Sequence, residues 1–163
     1  MPEMIPLGWF HTVMGAVAII SGVIALYCFK EISTANRSGL VYVVTTFITA
    51  ATALMIYQHG AFGPAHVLAV ATLVALAVGL LTEKVKPFGK LSRYIQAFSY
   101  TATLLFHSIP AVSDFLLRLP VGDPFLTSFE DPVMKRAHLT LMVMFLVGVT
   151  LQLLWIKRQP ASS

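Results

Sequence analysis

Phe106-His107-Ser108-Ile109-Pro110-Ala111-Val112-Ser113-Asp114 sets a histidine, a proline and a carboxylate inside an apolar run covering 94–117. A helix of about 20 residues is enough to cross a bilayer, and this run is longer. At helical spacing Gln96, Tyr100, Thr103, His107 and Asp114 fall on one face. A polar face at membrane depth has to turn toward protein, because lipid offers it no hydrogen-bond partner. Pro110 removes the amide that would bond the Phe106 carbonyl and crowds that turn, so a bend is expected beside His107. Ionisable groups at such depth are costly and mark function by default.

Working outward, four further apolar segments cover 7–29, 39–57, 64–81 and 137–156. The expected fold is therefore all-α: one polytopic domain of five transmembrane helices in a single bundle. Composition agrees. Of 163 residues, 57% are hydrophobic and 11% charged, where soluble domains carry roughly a quarter charged. Mean hydropathy is +0.81. Such a chain cannot cover itself with charge, so the lipid bilayer is its expected partner. The net charge of +4 is spread over short connections and forms no stripe, which argues against nucleic acid. Cys28 is the single cysteine, which excludes an internal disulfide and any cysteine-based metal motif. The first residues lack a basic n-region and a small-residue cleavage site, so the first segment is expected to remain as a helix.

Orientation follows from lysine and arginine in alternate connections. One end of the bundle holds Lys30, Arg37, Lys84, Lys86, Lys90, Arg93, Lys157 and Arg158; the other holds Arg118, Lys135 and Arg136. The N-terminus is thus expected outside and the C-terminus in the cytoplasm. In that orientation His11, His59, His66 and His138 lie near outer helix ends, and His107 lies deeper, roughly 15 Å inside at 1.5 Å per residue. Every histidine falls in the outer half.

Helical phase adds an independent constraint. His11, Gly15, Ala18, Gly22 and Ala25 share a small-residue face, the kind that packs closely in lipid. Thr45, Thr49, Thr52 and His59 form one stripe, and threonines can bridge neighbouring helices. His138, Phe145 and Gln152 share a face with Met142 nearby, whereas Ala69, Leu73 and Ala77 below His66 give only a weak one. The 118–136 connection, with Pro120, Gly122, Asp123, Pro124, Phe125, Leu126, Phe129 and Pro132, reads as an ordered, non-helical lid. Asp131-Pro132 is a candidate start for the last helix.

Imidazole suits zinc, copper and iron, and three or four such ligands with or without a carboxylate make a metal site. His11, His59, His66, His107 and His138 with Asp114 could supply that set. Asp114 would then be a ligand or the base orienting a metal-bound water, in a hydrolase or in an oxidoreductase acting on a lipid or quinone. No H-x-x-x-H or H-E-x-x-H spacing supports the set. A b-type haem is the second reading, with His11 or His66 paired with His138 as axial ligands. The third is non-catalytic: an accessory subunit docked on a membrane-protein partner or on a second copy, or a small transporter whose polar stripe lines a path. Each residue also has a plainer reading. Interfacial histidines are tolerated, Asp114 can pair with Arg118 one turn on, and Met14, Met134 and Met142 serve packing as readily as copper. Trp9, Tyr27, Tyr57 and Trp155 sit near segment ends, as an interfacial belt does.

Four stretches together carry a resemblance: His11-Thr12-Val13-Met14-Gly15, Arg37-Ser38-Gly39-Leu40-Val41-Tyr42, His59-Gly60-Ala61-Phe62-Gly63-Pro64-Ala65-His66 and His107-Ser108-Ile109-Pro110. In these the chain resembles a family of small bacterial membrane proteins catalogued as a predicted membrane protein domain of unknown function. The resemblance implies a bacterial inner-membrane setting with several histidine-bearing helices, and it transfers no activity. In that family a histidine commonly precedes the arginine before helix two, where this chain has Asn36.

Overall fold

The computed structural model describes residues 6–56 and 62–159. They form five helices: α1 (Pro6–Phe29), α2 (Arg37–Ala53), α3 (Pro64–Lys84), α4 (Leu91–Arg118) and α5 (Pro132–Arg158). Each expected segment is one helix. The ends differ where apolar length stops being the guide. α3 continues to Lys84, and α5 starts at Pro132, five residues before the apolar run, because Asp131 caps it by accepting from the Val133 amide at 2.7 Å. At the start of α2, Asn36 caps by accepting from the Gly39 amide at 2.8 Å and the Ser38 hydroxyl at 3.0 Å.

α1, α3 and α5 are long and apolar enough to cross a membrane. At 17 residues α2 is about 26 Å long at 1.5 Å per residue, short of a hydrocarbon core of about 30 Å. α4 has length to spare at 28 residues, but one face is polar.

That polar face organises the bundle. α4 packs on α1, α3 and α5, while α1 and α3 also pack on α2. Ser92, Gln96, Ser99, Tyr100, Thr101, Thr103, His107 and Ser113 of α4 are all buried. The surface is the reverse: Ile20, Phe47, Val74 and Leu139 are each more than half exposed. Polar side chains inside and large apolar ones outside suit acyl chains as the surrounding solvent. α4 runs unbroken through Pro110, which leaves the Phe106 carbonyl without its usual amide donor.

Close packing at the centre depends on two glycines. A Cβ on Gly22 of α1 would sit 2.7 Å from the Tyr42 ring, and one on Gly79 of α3 would sit 2.5 Å from the Tyr100 ring. The expected small-residue face of α1 is real: Ala18 and Ala25 are fully buried against this centre. α5 also presents the expected face, with Phe145 edge-on to Phe98 of α4 at 5.9 Å and Gln152 buried. α3 buries His66, Ala69, Thr72, Leu76, Gly79 and Thr82, so of the weak face expected through Ala69, Leu73 and Ala77 only Ala69 is inside, and the buried register is the one that carries the histidine, threonines and glycine.

The expected threonine bridges of α2 are present at Thr52, whose Oγ1 meets His11 of α1 at 3.1 Å, while the hydroxyl protons themselves stay within α2. Thr45, Thr49 and Thr52 donate to the carbonyls of Val41, Thr45 and Ile48 in their own helix, at 2.7, 2.7 and 2.8 Å. A buried hydroxyl takes the nearest strong acceptor, and in a helix that is the carbonyl four residues back. The 119–131 connection is non-helical as expected. It folds onto the end of α4, where Leu126 is buried and its amide donates to the Leu116 carbonyl at 2.9 Å, and Phe125 stacks on Phe115.

Candidate functional site

The α4 face links two polar ends through the middle of the bundle. At the histidine end, His11 Nδ1 lies 3.1 Å from the Thr49 carbonyl and 3.1 Å from Thr52 Oγ1. A carbonyl only accepts, and the Thr52 proton already goes to the backbone, so Nδ1 carries the hydrogen. His11 Nε2 is then the nitrogen with an open lone pair. His107 is buried, and its Nε2 has no hydrogen-bond partner among the described residues. The two imidazoles lie within electrostatic reach of each other, and Asp114 lies within reach of His11.

Asp114 departs from the expected inward stripe. Its side chain is exposed and pairs with Arg118 Nε at 3.3 Å, because it sits in the last turns of α4, where the bundle no longer encloses the helix. His138 approaches α4 one residue earlier, with Nε2 2.9 Å from Ser113 Oγ. His66 is buried at the start of α3, where Nδ1 accepts from the Gly63 amide at 3.2 Å and the ring stacks on Phe62 at 5.1 Å. His59 lies outside the described residues. His11 and His107 thus stand within electrostatic reach of each other and Asp114 within reach of His11, whereas His66 bonds the Gly63 amide next to it and His138 bonds Ser113 across to α4. Among the described residues, no three His, Cys, Asp or Glu side chains gather as a metal centre would need.

The middle of the column lies one turn below His107. Tyr42 of α2 is fully buried; its hydroxyl donates to Thr103 Oγ1 and lies 3.1 Å from the Tyr100 carbonyl. Thr103 in turn donates to the same carbonyl at 2.8 Å. The Tyr42 and Tyr100 hydroxyls are within electrostatic reach of one another. Tyr100 donates to Glu83 Oε2 at 2.9 Å, which starts the basic end.

Glu83 is the residue that sequence reasoning missed. Besides Tyr100 it accepts from Ser33 Oγ at 2.7 Å, the Thr34 amide at 2.8 Å and Thr34 Oγ1 at 3.0 Å, so the α1–α2 connection is built around its carboxylate. In the sequence it sits between Thr82 and Lys84 at the end of an apolar run and looks like a solvated terminus. The available signal was Tyr100: a phenol on a buried stripe needs an acceptor. Three more contacts tighten this end. Arg93 holds Glu31 through two nitrogens at 3.0 and 2.9 Å, and Gln96 donates to the Ile32 carbonyl at 3.1 Å. Gln152 of α5 accepts from Thr101 and donates to the Lys30 carbonyl, both at 2.9 Å.

Asp114, His11, His107, Thr103, Tyr42, Tyr100 and Glu83 therefore form a file of proton-bearing groups along α4 from end to end. Its hydrogen-bonded links are Tyr42 to Thr103 and Tyr100 to Glu83; the steps from Asp114 to His11, from His11 to His107 and from the Tyr42 to the Tyr100 hydroxyl have no direct bond, and from His107 to Thr103 the helix rises about 6 Å. Comparison of the chain with protein-family models, with curated proteins and with solved structures finds no match.

Proposed function

We propose that this is a five-span inner-membrane protein, basic end in the cytoplasm, that passes protons along the α4 column between the outer surface and Glu83. The observation that carries the reading is the buried His107 Nε2, without a partner among the described residues, within electrostatic reach of a second imidazole whose Nδ1 holds the hydrogen. An unsatisfied imidazole at that depth costs free energy that a purely structural residue would avoid, since leucine fills the space more cheaply. Imidazole can take a proton at one ring nitrogen and release one from the other, and the hydroxyls below it can relay one. The eight basic residues at one end, against Glu31 and Glu83 alone among acidic ones there, support the orientation. Purified protein in liposomes loaded with a pH-sensitive dye, under a potassium diffusion potential, is expected to acidify them well above the rate of protein-free liposomes. Equal rates would refute the reading.

The same pair favours one other reading, the transition-metal site. His11 Nε2 and His107 Nε2 would be the first two ligands of zinc, copper or iron, with Asp114 nearest to supply a third. The chemistry would be that of a hydrolase or an oxidoreductase, and two axial imidazoles of a b-type haem belong to the same class. Elemental analysis and a visible spectrum of the same preparation separate these: stoichiometric metal or a Soret band, lost in His107→Ala, replaces the proton column with a metal centre.

A further inference from the structure

α5 packs on α4 and α4 on α1, so between α1 and α5 a strip of α4 is left as the floor of a groove. The groove holds about 230 Å³ at the basic end, with Thr101 on its floor and Leu26, Lys30, Gly148, Leu151 and Trp155 along its walls. Its polar groups are nearly all spent. Thr101 and Gln152 bond each other, and Gln152 takes the Lys30 carbonyl. That carbonyl is presented by Lys30 itself, which ends α1 in the left-handed region at φ 63°.

What is left over is one cation. The Lys30 ammonium donates to the Tyr27 carbonyl at 2.8 Å and lies 5.4 Å from the Tyr27 ring centre. It has no carboxylate within ion-pair distance among the described residues, and an ammonium has two further protons to give. Arg93 stacks over Trp155 at 5.4 Å but is neutralised by Glu31, whereas Lys157 and Arg158 in the last turn of α5 add positive charge beyond the groove mouth. An apolar trough with an uncompensated cation at its interfacial end is complementary to one kind of molecule: an acyl chain joined to a phosphate.

We propose that this groove is a binding site for an anionic phospholipid, its chain along Leu26, Gly148 and Leu151 and its phosphate on Lys30. The site rests on the membrane setting of the protein and is independent of proton transfer along α4. A zwitterionic lipid offers the same chain but a headgroup without net charge, so selectivity falls on Lys30. Gly148 supplies a second handle, since a Cβ there meets nothing within 4 Å and a larger side chain enters the groove without touching the fold.

The test is native mass spectrometry of the full chain in detergent with equimolar phosphatidylglycerol and phosphatidylcholine. Wild type is expected to retain phosphatidylglycerol about five-fold more, the preference one lysine confers near an anionic headgroup. Lys30→Gln brings the ratio close to one, and Gly148→Leu lowers retention of both lipids while leaving the ratio of what remains. Equal retention by wild type, an unchanged ratio in Lys30→Gln, or an unchanged lipid count in Gly148→Leu overturns the proposal. So does a dimer that Gly148→Leu dissolves with lipid binding untouched, since the groove is then covered by a second copy. A chain that stays monodisperse without detergent would instead overturn the membrane setting.

Discussion

Replacing Glu83 with alanine removes the acceptor of four hydrogen bonds at once: two from Thr34, one from Ser33 and one from Tyr100. A hydrogen bond to a charged group is worth about 1.5–3 kcal/mol net, but water at the basic end can take over the freed Ser33 and Thr34 hydroxyls. The Thr34 amide and the Tyr100 hydroxyl are left to bear the loss, so the expected destabilisation is about 3–5 kcal/mol. Glu83→Gln separates shape from charge. Its amide oxygen can accept where Oε1 does, and its NH2 can donate to Tyr100, which turns its proton elsewhere. Neutral bonds are about half as strong, so glutamine is expected to cost about half as much as alanine. Unfolding of purified protein in mixed micelles by SDS, followed by loss of helical circular dichroism, measures both. Destabilisation of less than about 1 kcal/mol in Glu83→Ala would refute the claim that the α1–α2 connection is organised by this carboxylate. A larger loss in Glu83→Gln than in Glu83→Ala would refute the account of its donors.

Three further outcomes follow from the packing and the column. Gly79→Ala puts a methyl 2.5 Å from the Tyr100 ring, so overpacking of about 1–3 kcal/mol is expected in the same SDS titration, with no comparable loss for Gly148→Ala, where a Cβ meets nothing. Gln152→Leu leaves Thr101 and the Lys30 carbonyl without partners, and about 1–2 kcal/mol is expected for two interhelical bonds in a membrane protein. Asn36→Ala removes the cap of α2 and is expected to cost about 1 kcal/mol while leaving proton flux at the wild-type rate.

Helix number was legible because apolar length is a direct consequence of solvation: each run of 7–29, 39–57, 64–81, 94–117 and 137–156 lies largely within one helix. The faces of α1, α4 and α5 were legible for a related reason. Small residues on α1 and polar residues on α4 mark what must avoid lipid, and Gln152 follows the same rule on α5. On α3 the same rule applies, since His66, Thr72, Gly79 and Thr82 are all buried while Val67, Val70, Val74 and Val78 face out; the Ala69, Leu73 and Ala77 register misses it because small apolar residues do not by themselves mark the inside. The site was legible only in part. Sequence phase placed His11 and His107 inward, but which imidazoles meet depends on the order of helices around α4, and short connections do not fix that order. His66 and His138 share a half of the bundle with the pair and still bond elsewhere, to Gly63 at the start of α3 and to Ser113 of α4. The Glu83 cluster was invisible for a different reason: its donors Ser33 and Thr34 lie about fifty residues away and belong to a connection with no pattern of its own.

The central claim is that the unpaired imidazole deep in the bundle carries protons. Its most direct test is the rate of dye-reported acidification in proteoliposomes of wild type and of His107→Ala, with Asn36→Ala as the folded control and equal protein incorporation verified. A rate in His107→Ala at least ten-fold below wild type, with Asn36→Ala unaffected, is the result expected. Wild-type flux in His107→Ala would contradict the account and leave His107 as a packing residue.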